Sequence, residues 1–331
     1  MLVNDHRLLA KLHSLLADRR SYQKLNIAEI LHLSEEEFDS LLLRFSNLCI
    51  TFHENKGILS LDSSLNLLEK ALIEKNLSST ALSRLVLHAP YLSVNSTNKI
   101  VRELASKSPD RWHACVTEHQ SAGRGRQGKV WVAPIGKNII MSLSIKLDSL
   151  VADVGLVSLL VGISLVNALE DLNIVGLKIK WPNDIYWGDS KLAGILIESI
   201  KILDGDVRLI VGIGLNVELE HDEGKRIDQS YTDLKRISGA SHCRNKLIAR
   251  ILNQLTTNFD EFQRARFNGF KSEWARLDYL SEKTVILTGG NHDQVVGVAK
   301  GVNEQGHLLV QADDRLLTIL SGDVSVRRRM R

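Results

Sequence analysis

The sequence is short of cysteine, of long apolar runs and of net charge, and each shortage closes off a class of protein. Its three cysteines, Cys49, Cys115 and Cys243, lie far apart in 331 residues. That spacing matches neither a disulfide framework nor a CxxC metal site, so a reduced, cytoplasmic protein is expected. No apolar run approaches the roughly 18–20 residues of a membrane span. The opening MLVNDHRLLAKLHSLLADRR is charged and amphipathic and lacks a signal-peptide core. Internal repeats, low-complexity tracts and the Ser/His/Asp or Cys/His arrangements of nucleophilic enzymes are also missing. A net charge of +3 is too small by itself to argue for nucleic acid. Residues 1–75 carry 9 Lys+Arg against 11 Asp+Glu, a balance of −2, which leaves +5 for the rest.

The periodicities that are present divide the chain. Apolar residues recur at helical spacing over 7–17, a second short helix fits Asn26–His32, and Ser34 with Glu37 makes a capping box for a third over Glu35–Asn47. Two short strands, Cys49–His53 and Ile58–Leu61, come next. Three helices and a hairpin outline a winged helix-turn-helix over 1–65, with a connector over 66–82. Residues 83–280 read as α/β. Strands are expected at 129–133, 137–147, 177–181, 192–200 and 207–217, and helices at 155–172 and 245–262. From 281 to 331 short β runs alternate with turn residues, which suggests a small SH3-like barrel. The fold class expected is therefore α+β.

Three segments carry chemistry. Gly123-Arg124-Gly125-Arg126-Gln127-Gly128 matches GxGxxG, but strand-like residues succeed it where a dinucleotide fingerprint needs a helix. What remains is a bendable loop with two guanidinium groups of five N–H donors each, suited to phosphate or carboxylate oxygens or simply to solvent. Lys178–Trp181 is broken by Pro182-Asn183-Asp184, and Lys191-Leu192-Ala193-Gly194 opens the next strand. A loop offering Asn183, Asp184 and Lys191 suits a nucleotide and its metal. In 207–217, Gly212, Gly214 and Asn216 share one face, where strand glycines mark close approach of a ligand or of packed neighbours.

Together these segments resemble biotin–protein ligases. The matching residues are Ser96-Thr97-Asn98, Glu118 to Gly128 with Trp131, Lys180-Trp181-Pro182-Asn183-Asp184, Lys191 to Leu196 and Gly212 to Asn216. The order and spacing hold from about residue 86 to the end. The resemblance implies a central domain like the cores of class II aminoacyl-tRNA synthetases and biotin ligases. It implies that ATP and biotin give biotinyl-5′-AMP and pyrophosphate, with Mg²⁺, before biotin passes to a carrier-protein lysine. Ser96, Thr97, Asn98 and Gln120 would meet biotin, under a loop of Gly123, Arg124, Gly125 and Arg126. Lys191, Arg124 and Arg126 would be catalytic. Lys129, Trp131, Lys180, Asn183, Asp184, Asn216 and Arg327 would serve the nucleotide, with no defined set of metal ligands. Where the family carries basic residues after Arg126, this chain has Gln127 and Lys129, so weaker retention of the adenylate is expected.

The N-terminal region resembles that of two-function members that also repress transcription. A biotin carboxyl carrier protein is the expected partner, with a homodimer and operator DNA, contacted through residues 19–61 with Arg19, Arg20, Lys24 and Lys56 as candidates for the phosphates, as further expectations and no membrane. Two rivals stay open: a lipoate–protein ligase on a similar core, and a repressor that binds the adenylate with weak ligation.

Overall fold

The computed structural model describes residues 2–17, 22–48, 50, 52–61, 67–108, 110–146, 154–201, 207–219, 229–289, 292–320 and 325–328. Helices α1 (Leu2–Ala17), α2 (Lys24–Ile30) and α3 (Glu35–Ser46) are joined by a three-stranded sheet of β1 (Tyr22–Gln23), β2 (Phe52–Asn55) and β3 (Ile58–Leu61), in the order β1-β3-β2. The capping box forms as the spacing requires. Glu37 N donates to Ser34 Oγ at 3.2 Å, and Ser34 N donates to Glu37 Oε2 at 2.8 Å. Lys56 and Gly57 both take positive φ, which closes the β2–β3 hairpin in two residues. Cys49 lies outside the described residues, as do Arg19 and Arg20.

This N-terminal unit is not insulated from the rest of the chain. Leu9, Leu12, Phe38, Leu41 and Phe45 share one core with Leu67, Leu92 and Ile135. The segment expected as a connector contains helices α4 (Lys70–Glu74) and α5 (Ser79–Arg84). Leu68, Ile73, Leu77 and Ala81 from it are buried in the central core. Its backbone is answered by the long helix Arg244–Ala265, whose Asn245 accepts from Glu69 N at 2.8 Å.

The central sheet has eight strands. Its order is β4 (Leu85–Leu87), β6 (Trp112–Gln120), β7 (Asn138–Lys146), β11 (Val207–Asn216), β10 (Ser190–Lys201), β9 (Asp184–Trp187) and β8 (Leu177–Lys180), with β5 (Tyr91–Val94) also on β6. β4 and β5 run parallel to β6, and the other neighbours are antiparallel. The expected strand at 129–133 does not form. Only an isolated bridge, Arg124 to Val130, closes that loop, because Gly125 N and Trp131 N turn back to Lys129 O and Gly123 O.

Strand alternation gives the sheet two unlike faces. Leu209, Val211, Ile213 and Leu215 face helix α7 (Val154–Glu170) and the helix Arg244–Ala265 in the main core. Truncating a leucine there to alanine costs about 2–5 kcal/mol. The opposite face carries Ser142 and Ser144 of β7 and Gly212 and Gly214 of β11, and helix α6 (Thr97–Lys107) lies over it through Val101 and Ala105. Thr97 and Asn98, both expected to meet the ligand, lie against this polar face beside Ser142.

The C-terminal part is a five-stranded antiparallel sheet of β12 (Thr284–Gly289), β13 (His292–Val302), β14 (Leu308–Ala312), β15 (Arg315–Ile319) and β16 (Ser325–Arg328). It is docked, since Val285, Leu287, Leu308 and Val310 join the main core. Trp181 Nε1 donates to Gly306 O at 2.9 Å. Among the described residues, no helix is long and apolar enough to cross a membrane.

Candidate active site

Two adjoining clusters occupy the polar face. The first is uncharged and buried. Thr97 and Asn98 open α6, and Gln120 ends β6, so the start of a helix meets the end of a strand. Gln120 Oε1 accepts from Thr97 N at 2.7 Å and from Thr97 Oγ1 at 3.1 Å. Ser142 Oγ stands 2.6 Å from both Thr97 Oγ1 and Asn98 Oδ1. Ser96 caps the helix position without a side-chain capping bond. Gly212 has a packing reason, because a Cβ there would lie 2.5 Å from Asn98 Oδ1.

The second cluster is charged. Lys191 Nζ pairs with Asp184 Oδ1 at 2.8 Å and lies 5.7 Å from the centre of the Trp131 ring. Arg126 donates to Asn183 Oδ1 at 3.1 Å, and Asn183 Nδ2 donates to Ile195 O at 2.8 Å. Burial pulls the Arg126 pKa below its ordinary value, with Asp184 opposing that pull. Trp131 rests on a floor of two glycines. A Cβ on Gly214 would lie 2.4 Å from its Cε2, and one on Gly194 would lie 3.1 Å from its Cζ3. Its Nε1 is buried without an acceptor, so no polar bond tethers the ring. Asn98 over Gly212 and Trp131 over Gly214 are two residues apart on one strand, about 6–7 Å. Gly123 joins the clusters, since a Cβ there would meet Trp131 O at 3.0 Å and Gln120 Nε2 at 3.2 Å.

Other expected site residues stand apart from these clusters or serve the scaffold. Arg124 and Lys129 are exposed on the loop. Lys180 Nζ lies 5.0 Å from the centre of the Tyr186 ring. The Asn216 amide donates to Thr232 O at 3.0 Å. Arg327 pairs with Ile286 in the C-terminal sheet, and its side chain lies outside the described part of the molecule. Among the described residues no group of three His, Cys, Asp or Glu could hold a metal.

Sequence reasoning missed Ser142 and the support beneath Gln120. Glu118, two residues earlier and 1% exposed, receives Arg244 at 2.7 Å and Leu68 N at 2.6 Å, with His6 Nε2 at 3.6 Å. Arg244 also donates to Asn138 O at 3.0 Å. Glu118 stands in the sequence among the residues that carry the family resemblance, but nothing in the strand WHACVTEHQ marks it as the partner of Arg244.

A mixed sheet bearing an uncharged polar cluster beside a cationic, glycine-floored one suits an activating ligase, with one part fit for a neutral ring and the other for phosphate. The chain matches the model of the biotin/lipoate A/B protein ligase family over residues 91–216, and that of the biotin protein ligase C-terminal domain over 280–327. It belongs to the biotin protein ligases of that family. The bifunctional ligase/repressor BirA of Escherichia coli (strain K12) is 32% identical over 237 residues, 71% of this chain and 72% of that protein. The biotin–[acetyl-CoA-carboxylase] ligase of Mycobacterium tuberculosis is 30% identical over 63% of this chain and 77% of its own length. Among solved structures, the biotin protein ligase of Aquifex aeolicus in complex with biotin and ATP superposes with a TM-score of 0.62 at 27% identity. It covers 74% of this chain and 99% of that one. The fold is thus that of a biotin protein ligase, mixed α/β with catalytic and C-terminal domains.

Proposed function

We propose that this chain activates biotin with ATP and transfers it to a lysine of a biotin carboxyl carrier protein. The observation that carries the reading is the adjacency of the uncharged cluster of Thr97, Asn98 and Gln120 to the cationic cluster of Lys191 and Arg126, with Asn98 over Gly212 and Trp131 over Gly214 of one strand. A biotin carboxylate oxygen attacks the α-phosphorus of ATP, and the bond to pyrophosphate breaks. The lysine amine then attacks the mixed-anhydride carbonyl, expels AMP and loses a proton. Lys191 stabilises charge at the α-phosphate, and Arg126 with the Gly123–Gly128 loop shields the adenylate from water. Mg²⁺ would neutralise the phosphates of ATP, and Asp184 is the carboxylate beside Lys191 that suits it, since Mg²⁺ binds through one or two carboxylates plus phosphate oxygens. Arg124, Lys129, Lys180 and Arg327 are read as outer contacts to the nucleotide, with Ser96 and Gly125 on the biotin side and Asn216 and Asn183 shaping the adenine side. ATP-dependent transfer of labelled biotin to a carrier domain tests the reading, and transfer of lipoate in its place would sink it.

The N-terminal unit is read as a winged helix with little affinity for DNA, and the C-terminal sheet as an SH3-like barrel. Charge supports the first statement. Helix α3 opens with Glu35, Glu36 and Glu37, and Asp39 lies one turn further on. Lys24, a phosphate-contact candidate, is paired with Asp39 and Glu54, and Arg44 bonds to Asp5 at 3.3 Å. Tight, sequence-specific retardation of the protein's own biotin-operon promoter, with biotin and ATP present, would overturn this. Dimerisation through the central sheet belongs to the same reading, and ultracentrifugation with and without biotin and ATP tests it.

A further inference from the structure

Hydrogen-bond donors in the uncharged pocket can be counted. Gln120 Oε1, Thr97 Oγ1, Ser142 Oγ and Asn98 Oδ1 form a chain of side-chain oxygens. The Thr97 hydroxyl hydrogen goes to Gln120, so Ser142 holds a single hydrogen for two neighbours, each 2.6 Å away. Along this chain of oxygens acceptors outnumber hydrogens, since the two hydrogens of Gln120 Nε2 sit on the far arm of that amide near Gly123, and such a chain favours a ligand that brings N–H groups. A half-turn of the Asn98 amide would reverse this by presenting its NH₂ instead. Glu198 on β10 opposes the turn. Asn98 Nδ2 donates to Glu198 Oε2 at 2.9 Å, and an ionised carboxylate can only accept. Arg102 NH2, 3.4 Å from the same oxygen, holds Glu198 in turn. Ser142 and Thr97 are buried, Asn98 is 6% exposed and Gln120 is half-buried, so this chain of oxygens is reached from outside chiefly at its Gln120 end.

We propose that Glu198 is a positioning residue that locks the Asn98 amide with Oδ1 inward, making the pocket select ligands with N–H donors, a cyclic urea over a ring without them. This rests on the ligase reading above. In Glu198→Ala the KM for biotin is expected to rise at least tenfold, with kcat at saturating biotin and the KM for ATP within twofold of the parent. Inhibition by lipoate, whose ring has no N–H, strengthens relative to biotin. Glu198→Gln keeps an acceptor oxygen and recovers most of the affinity. A biotin KM within twofold of the parent in Glu198→Ala, or an equal rise in both KM values, overturns the proposal. Where Glu198→Ala does not fold, Asn98→Asp sets two carboxylates against each other and weakens biotin, and Glu198→Gln added to it restores binding. Absence of that restoration also overturns it. A parent enzyme that binds no labelled biotin sinks the ligase reading instead.

Discussion

At the uncharged end of the site, polar atoms are buried and answered by side chains from three rigid elements. At the charged end, Arg126 and Trp131 ride on a loop held by a few backbone bonds around Gly123 and Lys129, and Arg124 and Lys129 are exposed to solvent. The contrast teaches a division of labour. The first end is preorganised and suits recognition. The second is held by fewer bonds, and its indole lies on a floor of two glycines with no hydrogen bond to its Nε1.

The largest expected effect strikes the support of the rigid end. Glu118→Gln leaves the Arg244 guanidinium buried without its counter-charge, at a cost of about 3–5 kcal/mol. Burial alone pushes the Glu118 carboxyl up, but Arg244, His6 and the Leu68 amide together hold it below the usual carboxylate range. A depressed folded pKa means the stability is complete above the unfolded value of about 4.3 and is lost as pH falls through the lower folded one. The parent's urea midpoint is therefore expected to fall more steeply in acid than that of Glu118→Gln. Parallel profiles would show that the pair does not anchor this end.

Lys191→Ala comes next. A hydrogen bond to a charged group is worth about 1.5–3 kcal/mol, so pyrophosphate exchange is expected to fall roughly ten- to hundredfold in a folded protein. Exchange near the parent rate would remove the lysine from the chemistry.

Gly214→Ala sharpens the comparison directly. Its methyl would collide with Trp131, and overpacking of this sort costs about 1–3 kcal/mol. The KM for ATP is expected to rise several-fold while that for biotin holds. If both move together, the two ends are one unit. Arg126→Ala has the smallest expected effect. Loss of its bond to Asn183 is worth about 1 kcal/mol, hence roughly fivefold faster release of biotinyl-AMP and looser labelling of lysines on other proteins. Release at the parent rate would mean the loop is no lid.

Much of the scaffold was legible. The capping box at Ser34, the all-apolar helix near 155–172 and the alternating strand 207–217 appear within a few residues of where periodicity put them. The loop after Gly128 misled because Lys129–Ala133 alternates like a strand but finds no partner beyond one bridge. The connector expected over 66–82 gave no sign that Leu68, Ile73 and Leu77 would be buried, because that burial depends on the distant helix Arg244–Ala265.

The sequence by itself determined the elements, the order of the motifs and the residue types offered to a ligand, because these follow from local spacing and side-chain chemistry. Only the tertiary structure decided which of those groups remain available. Lys24 is taken by Asp39 and Glu54, the Asn216 amide by Thr232, and Asn98 is turned by Glu198 one hundred residues away. Hydrogen bonds and ion pairs reach only a few ångströms, so their partners are settled by which strands and helices pack together, and spacing along the chain carries no record of that.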